Sequence, residues 1–253
     1  MGYKIRHDYK AVHYSGTRPK SALRHIVLHS IESTNATGAA EGAGSWFENP
    51  ASGGSTQYGV DDDSIQQYLP DRVTAWGAPH LNDTGIHIEQ MGKASWSRAT
   101  WMKHKGTLSR TAWLMARLSK KYGIPLRTLS DAELRADKPG VVTHAQATRV
   151  FHVVGGHTDP GSGYPMDYVL ELARMFANDK TALTDKNISV PRQKRPNRAG
   201  WWNLGLVPYI EKLRAQGQGK RVKTGGKESV VIPVPEDRPK WWRKMWAWKK
   251  GKR

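Results

Sequence analysis

The chain has 253 residues, 38% of them hydrophobic, and no cysteine, which excludes disulfides, thiolate metal ligands and cysteine nucleophiles. No segment approaches the roughly 18 consecutive apolar residues of a membrane span, and the N-terminus lacks the apolar segment of a secretory signal peptide. The formal net charge of +18 is uneven: residues 181–253 contain 19 Lys and Arg against 5 Asp and Glu (net +14), and residues 1–180 contain 21 against 17 (net +4).

The first half of the chain predicts several strands and one helix. Residues 24–33 are a short β-branched run typical of a buried strand, and the Ala- and Gly-rich residues 37–50 favour a helix. Residues 55–70 predict two strands joined by a turn, and the alternating residues 84–92 predict another strand.

The second half continues with helical patterns. Residues 95–123 have helical spacing, residues 140–144 predict a brief strand, and residues 165–179 predict a helix. Because strands alternate with helices, we expect an α/β domain. We assign an N-terminal segment to residues 1–21, the domain to residues 22–180 and a basic extension to residues 181–253.

The basic extension is rich in Pro, Gly, Lys and Arg. Residues 201–216 are amphipathic and predict a short helix broken around Pro208, and residues 217–229 are typical of a flexible linker. The last residues, 238–253, interleave four Trp with Lys and Arg. Trp prefers polar–apolar interfaces and cations favour anionic surfaces, so this segment predicts binding to an anionic polymer, lipid surface or nucleic acid. The alternative is a solvating tail.

Ionisable side chains stand where burial is expected. His29 and His144 each close an apolar strand, and His87 and Glu89 share one face of a third strand because side chains alternate with period two. Asp159 lies in the Gly- and Pro-rich segment GGHTDPGSGYP. Two His and one carboxylate are a common zinc-binding set. Each signal alone also fits a structural His or an Asp that caps a turn.

The order of these motifs resembles the zinc-dependent N-acetylmuramoyl-L-alanine amidases, the type-2 amidases that share a fold with peptidoglycan recognition proteins. IVLHS, STQYGVDDDSIQQYLPD, GIHIEQ, VVTH and GHTDPGSGYPMDYVLEL occur in that order over residues 22–178. The resemblance is strongest to amidase domains of endolysins from phages of actinobacteria. It implies a central mixed, mostly parallel β-sheet flanked by helices.

The resemblance also implies residue roles. It makes His29, His144 and Asp159 the zinc ligands, matches Tyr58 to the family tyrosine, and matches Glu89 to a glutamate found in many members. His157 stands where many members have a lysine. In WGAP, Gly77 replaces a family His, so a substrate contact is missing or moved to His80. Residues 147–155 are an insertion between the second and third ligands.

The expected reaction is hydrolysis of the amide between N-acetylmuramic acid and L-alanine, with Zn²⁺ as cofactor. Glu89 is the expected general base, Tyr58 a positioner or proton relay, and protonated His157 the donor to the oxyanion. His87 either tunes Glu89 or only lines the cleft. These expectations describe a peptidoglycan hydrolase that lyses the host wall.

Rival interpretations remain open at this point. A non-catalytic peptidoglycan-binding protein has the same fold, and the charge alone suggests a nucleic-acid-binding protein, although no such motif occurs. A serine hydrolase is disfavoured because no G-x-S-x-G motif is present. Without a signal peptide, a wall hydrolase is expected to be made in the host cytoplasm and released by a holin or by lysis. We expect a monomer whose basic tail binds an anionic wall polymer or membrane surface.

Overall fold

The computed structural model describes residues 3–153 and 155–178, and the strands within 220–224 and 227–231. The chain forms two compact units, Met1–Ile188 and Ser189–Arg253. The predicted functional division at residues 21 and 180 stays a prediction. In the described part of the chain, no helix is both long and apolar enough to cross a membrane.

The first unit is built on a mixed five-stranded sheet, as predicted. Its strand order is β4-β3-β6-β2-β7, and β3, β6, β2 and β7 run parallel while β4 is antiparallel to β3. The strands are β2 (His25–Ser30), β3 (Tyr58–Val60), β4 (Ile65–Gln67), β6 (Gly85–Gln90) and β7 (Gly140–Thr143). A second, two-stranded antiparallel sheet pairs β1 (Tyr14–Thr17) with β5 (Val73–Ala75); neither strand was predicted.

Six α-helices are described in this unit. They are α1 (Ala39–Phe47), α2 (Arg98–Trp101), α3 (Lys105–Tyr122), α4 (Asp131–Arg135), α5 (His144–Phe151) and α6 (Met166–Asn178). Short 3-10 turns cover Lys20–Ala22 and Pro50–Ser52.

The two faces of the sheet bury different side chains because strand residues alternate. Ile26 and Leu28 face one large apolar core, to which α3 and α6 contribute Leu114 and Val169. Val27 faces a smaller core on the other side, with side chains of α4 and α5. His29 and its neighbours on the second face therefore lie on the α5 side of the sheet.

The predicted helix at 95–123 is in fact two helices. Asp62 separates them: its carboxylate accepts hydrogen bonds from the Thr107 backbone N–H (2.9 Å) and from His104 Nδ1 (3.0 Å). This side chain satisfies a free N–H in the first turn of α3, which lets a new helix begin at Lys105. Gly123 ends α3 in the left-handed conformation (φ 74°), as a C-terminal glycine typically does.

The stretch expected as an insertion, 147–155, is largely α5, which begins at His144 itself; that it is an insertion stays a prediction. One further segment differs from expectation. The predicted flexible linker at 217–229 is wrong, because β8 (Lys220–Thr224) and β9 (Lys227–Val231) form an antiparallel hairpin. The predicted helix at 201–216 and the Trp-rich end at 238–253 lie outside the described residues.

Candidate metal centre and active site

Strand register places the first group of site residues. His29 and Glu89 are partners in the parallel pairing of β2 with β6, and Val27 is the partner of His87. Partners in register point to the same face, so His29, His87 and Glu89 lie together on the α5 side of the sheet. The expectation that His87 and Glu89 share one face of their strand agrees with this register.

His144 and Asp159 are brought to this face by α5 and the loop after it. Thr143 caps α5 by accepting a hydrogen bond from the Gln146 N–H (3.1 Å), which starts the helix at His144. The Asp159 carbonyl accepts from the Ala145 N–H (2.9 Å), and its Oδ2 faces the Ser30 N–H at 3.4 Å. The loop is therefore tied both to the start of α5 and to the end of β2.

Glycines let the loop after Asp159 lie against the chain at residues 94–97. Gly161 has φ 93°, a conformation that side chains rarely adopt, and a Cβ there would collide with the Ala94 carbonyl oxygen. A Cβ on Gly163 would collide with the Trp96 carbonyl oxygen. The Gly-rich composition of this segment thus reflects close backbone contact that holds the ligand loop in place.

The three predicted ligands converge on one point. The Nδ1 atoms of His29 and His144 are 3.1 Å apart. Asp159 Oδ2 lies 3.4 Å from His29 Nδ1, and Asp159 Oδ1 lies 3.1 Å from His144 Nδ1. A tetrahedral zinc ion with ligands at about 2.0–2.1 Å needs ligand atoms about 3.3 Å apart. The spacing and chemistry of these three side chains fit such an ion, and together they form a group able to hold a metal.

The electrostatics of the cluster suit a cation. Burial opposes ionisation of Asp159, yet hydrogen bonds from His144 and His29 hold its pKa well below the usual range. Burial lowers the pKa of His29, whose side chain is 2% exposed. A neutral imidazole offers a lone pair, and an ionised carboxylate offers a negative charge, which are the forms that bind metal.

Glu89 stands beside this cluster as a half-buried residue whose carboxyl atom Oε2 is buried. Burial first, and then the nearby carboxylates of Asp159 and Glu32, raise its pKa to about 8. Its Oε2 atom is buried and makes no hydrogen bond within the described residues. A carboxyl group without a fixed partner, and with a pKa near neutrality, can both accept and return a proton.

His157 lies over the cluster on its solvent side. Its ring stacks on His144 with centroids 3.9 Å apart, and its side chain is 48% exposed. Burial and the neighbouring His144 lower its pKa, and Asp159 only partly offsets them. This direction favours the neutral imidazole and not the protonated form expected from sequence, although a neutral ring still has one N–H to donate.

The structure does not bring Tyr58 to the cluster. Tyr58 is the register partner of Ile88, whose side chain points to the face opposite Glu89. Its hydroxyl donates to Asp71 Oδ1 and accepts from Gln67 Nε2 at 3.0 Å. Asp71 also lines a cavity of about 580 Å³ with Lys121 and Tyr122. The expected role of Tyr58 as a positioner or proton relay has no geometric support. Because side chains alternate along the strand, Tyr58 points to the opposite face of the sheet and bonds Asp71 and Gln67 there.

His87 occupies a place that sequence reasoning did not identify. Its Nδ1 lies 3.0 Å from His29 Nε2, so its hydrogen-bonding neighbour is the predicted metal ligand His29 and not Glu89. The ring fills the space beside Gly77, where a Cβ would lie 2.6 Å from His87 Nδ1. His80, the expected substitute for the family His, instead stacks on Phe151 (centroids 5.0 Å apart).

Comparison with known proteins identifies the family of the chain. Residues 18–162 match the family model described as N-acetylmuramoyl-L-alanine amidase. No curated protein matches the chain.

Among solved structures, the chain is similar to the hydrolase AmiA of Staphylococcus aureus, solved with its ligand. The two are 18% identical over 70% of this chain and 84% of that one, with a TM-score of 0.52. It is also similar to a mutant endolysin from Bacillus subtilis (19% identity, 72% and 99% covered, TM-score 0.44). A third is the amidase LysC from Clostridium intestinale (16% identity, 66% and 94% covered, TM-score 0.40). At such identities the likeness to AmiA concerns the fold.

Proposed function

We propose, from the premise that this chain belongs to the N-acetylmuramoyl-L-alanine amidase family, that it is a zinc-dependent endolysin. Its substrate is the amide bond between N-acetylmuramic acid and L-alanine of peptidoglycan. The observation that carries the proposal is the convergence of two Nδ1 atoms and one carboxylate at 3.1–3.4 Å beside the half-buried Glu89.

His29, His144 and Asp159 would hold the metal. When bound at such a site, zinc supplies Lewis acidity toward a carbonyl oxygen and lowers the pKa of a water to about 7. The ion's positive charge would also offset the repulsion that Glu89 receives from Asp159, and so bring the Glu89 pKa down toward the range in which it is ionised at neutral pH.

Glu89 is the proposed general base and acid. It takes a proton from water as the new O–C bond forms at the lactyl carbonyl, and delivers a proton to the nitrogen of L-alanine as the C–N bond breaks. Atoms balance in this step: water adds across the amide, the glycan keeps a carboxyl group, and the peptide leaves with a free amine. The buried Oε2, which lacks a fixed partner, suits this exchange.

His157 is the proposed donor to the oxygen that becomes negative. Its exposed ring stacks on His144 at the mouth of the cluster, where a neutral N–H can reach a substrate. Loss of one such donor typically costs about 100- to 1,000-fold in rate. We expect His157→Ala to retain zinc and to lose rate on this scale.

The remaining parts of the proposal concern the setting of the enzyme. We propose a monomeric phage enzyme, related to endolysins of actinobacterial phages, that reaches the wall after release by a holin or lysis. The basic, Trp-rich residues 238–253 are proposed to bind an anionic wall polymer or membrane surface, which raises the local concentration of the enzyme at its insoluble substrate. The charge of net +14 on residues 181–253 supports this part.

Mass spectrometry of digested peptidoglycan tests the reaction. We expect intact stem peptides with free L-alanine amines, together with glycan strands that have lost their peptides. Cleaved sugar linkages, or cuts within the stem peptide, would contradict the proposed bond. No product at all would favour the non-catalytic peptidoglycan binder.

Matched variants separate the metal from the proton transfer. Asp159→Ala is expected to lose zinc and activity together, and Glu89→Gln to keep zinc while losing most of its activity. Asp167→Ala is the control, because its exposed carboxylate forms a surface ion pair with Arg98. Zinc content by metal analysis checks the ligand assignment, and undiminished zinc in Asp159→Ala would remove that residue from the set.

A further inference from the structure

Of the two proposed histidine ligands, His29 has a hydrogen-bond partner on its second ring nitrogen, whereas His144 Nε2 is buried with no such partner among the described residues. His29 directs Nδ1 toward His144 and Asp159, which leaves Nε2 free to interact with a neighbour. That neighbour is His87, whose Nδ1 lies 3.0 Å from His29 Nε2. Both rings are fully or almost fully buried, with 2% and 0% exposure, so water does not compete for this contact.

The proton positions in this pair follow from metal binding. A histidine that binds metal through Nδ1 has its lone pair there, so a neutral His29 carries its hydrogen on Nε2. His29 is then the donor, and His87 Nδ1 must be the acceptor. Metal-binding histidines generally donate their second N–H to a carboxylate, carbonyl or water that orients the ring. Here an imidazole takes that place.

Neighbouring groups fix the backbone of His87 and leave room for its ring. The backbone N–H of His87 donates to Gln57 Oε1 (2.8 Å), and Gln57 Nε2 donates to the Val73 carbonyl (2.8 Å). Two glycines leave room for the ring: a Cβ on Gly77 would lie 2.6 Å from His87 Nδ1, and one on Gly85 would lie 3.1 Å from Nε2. The backbone of Gly77 is not in the left-handed region, so its lack of a side chain is a matter of space and not of conformation.

We propose that His87 is a positioning residue for the metal centre, which accepts the Nε2–H hydrogen bond of His29 and fixes that ligand's tautomer and ring orientation. Gly77 contributes to the same arrangement, because its lack of a side chain leaves room for the His87 imidazole. This inference rests on the proposed metal site. It predicts that zinc affinity depends on an acceptor at position 87 and on an empty Cβ position at residue 77.

The first test measures zinc affinity of the full chain by competition with a chromophoric chelator. His87→Leu fills the space without an acceptor and is expected to weaken zinc binding by about 10- to 100-fold, the usual effect of losing a partner behind a ligand. His87→Asn places an amide oxygen near the position of Nδ1 and is expected to restore most of the affinity. Equal losses in both variants would overturn the proposal, since packing alone would then explain them.

His25 provides the matched control for the loss of a buried imidazole. It lies on the neighbouring strand β2, is 0% exposed, and bonds Thr84 Oγ1 and the Lys138 carbonyl at 2.9 Å each. We expect His25→Leu to lower the melting temperature of the metal-free protein while its zinc affinity stays at the wild-type value. A His87→Leu variant that behaves in the same way would overturn the proposal.

A second test leaves His87 in place and covers the case in which His87→Leu does not fold. Gly77→Ala pushes on the imidazole and is expected to weaken zinc binding, while Gly42→Ala, where a Cβ meets nothing within 4 Å, leaves it unchanged. Wild-type affinity in Gly77→Ala would overturn the inference about His87 alone. Absence of zinc binding in the wild-type protein would overturn the metal site and this inference with it, so the two failures are distinguishable.

Discussion

Replacement of Tyr58 by Phe tests whether this residue, on the face opposite Glu89, contributes to stability and not to activity. The hydroxyl of Tyr58 donates to Asp71 Oδ1, and burial together with Asp71 raises its pKa well above 10, so it stays neutral. Its removal deletes one buried hydrogen bond to a charged acceptor, which typically contributes about 1.5–3 kcal/mol. For a folded unit of this size, about 1 kcal/mol shifts the melting temperature by about 2–4 °C. We therefore expect Tyr58→Phe to melt about 3–12 °C lower.

Activity is the second half of this prediction. Tyr58 points away from His29 and Glu89, so amide hydrolysis measured well below the melting temperature is expected to match the wild type. Tyr122→Phe is the control, because its hydroxyl donates to the other Asp71 oxygen (2.6 Å) from a half-buried position and should cost less stability. A 100-fold loss of rate in Tyr58→Phe with an unchanged melting temperature would refute the assignment and restore a catalytic role for the tyrosine.

Three further outcomes follow from the geometry. Burial opposes ionisation of Asp71, but hydrogen bonds from Lys121 and Tyr122 lower the pKa of its carboxyl in the folded protein. Ionised Asp71 therefore stabilises the fold at pH values above its unfolded pKa. This stabilisation is lost as the pH falls through the lower pKa of the folded state. Urea unfolding of Asp71→Asn between pH 5 and about 2 should lack this acid-dependent loss, and an unchanged slope would contradict it. Gly161→Ala, at φ 93° against a backbone carbonyl, should cost about 2 kcal/mol or more and weaken zinc binding; wild-type unfolding would show that the loop adjusts freely. Truncation near residue 180 should preserve activity on soluble muropeptides and reduce co-sedimentation with whole walls, whereas equal sedimentation would remove the extension from wall binding.

Much of the central sheet could be predicted because its strands are short apolar runs closed by polar residues. His29 and Glu89 each end such a run, and parallel strands bring their carboxyl ends to one edge. The contact between His87 and His29 could not be predicted in this way. It depends on the register of β2 against β6 and on the absence of a side chain at Gly77, which lies on the loop before β6.

The other features that the sequence did not predict also depend on local contacts. Asp62 starts α3 with its side chain, and a single Asp in a turn does not reveal which distant helix it caps. Residues 147–155 contain no proline or strong helix breaker before Gly155. With Thr143 as its N-cap, a helix that begins at His144 could therefore have been predicted from the sequence. The face that Tyr58 occupies follows from alternation only when its pairing with Ile88 is known.

Because side chains alternate along each strand, the same strands give the sheet one apolar face and one polar face. On one face, Ile26, Leu28 and Ile88 pack against α3 and α6 and stabilise the fold. On the other face, the same strands present His29 and Glu89, whose burial is unfavourable for charge unless a cation is near. The raised pKa of Glu89 shows this tension directly, since burial and the nearby carboxylate of Asp159 both oppose its ionisation. A divalent cation bound at the proposed site would relieve this tension, which supports the proposal that the polar face serves metal-dependent chemistry.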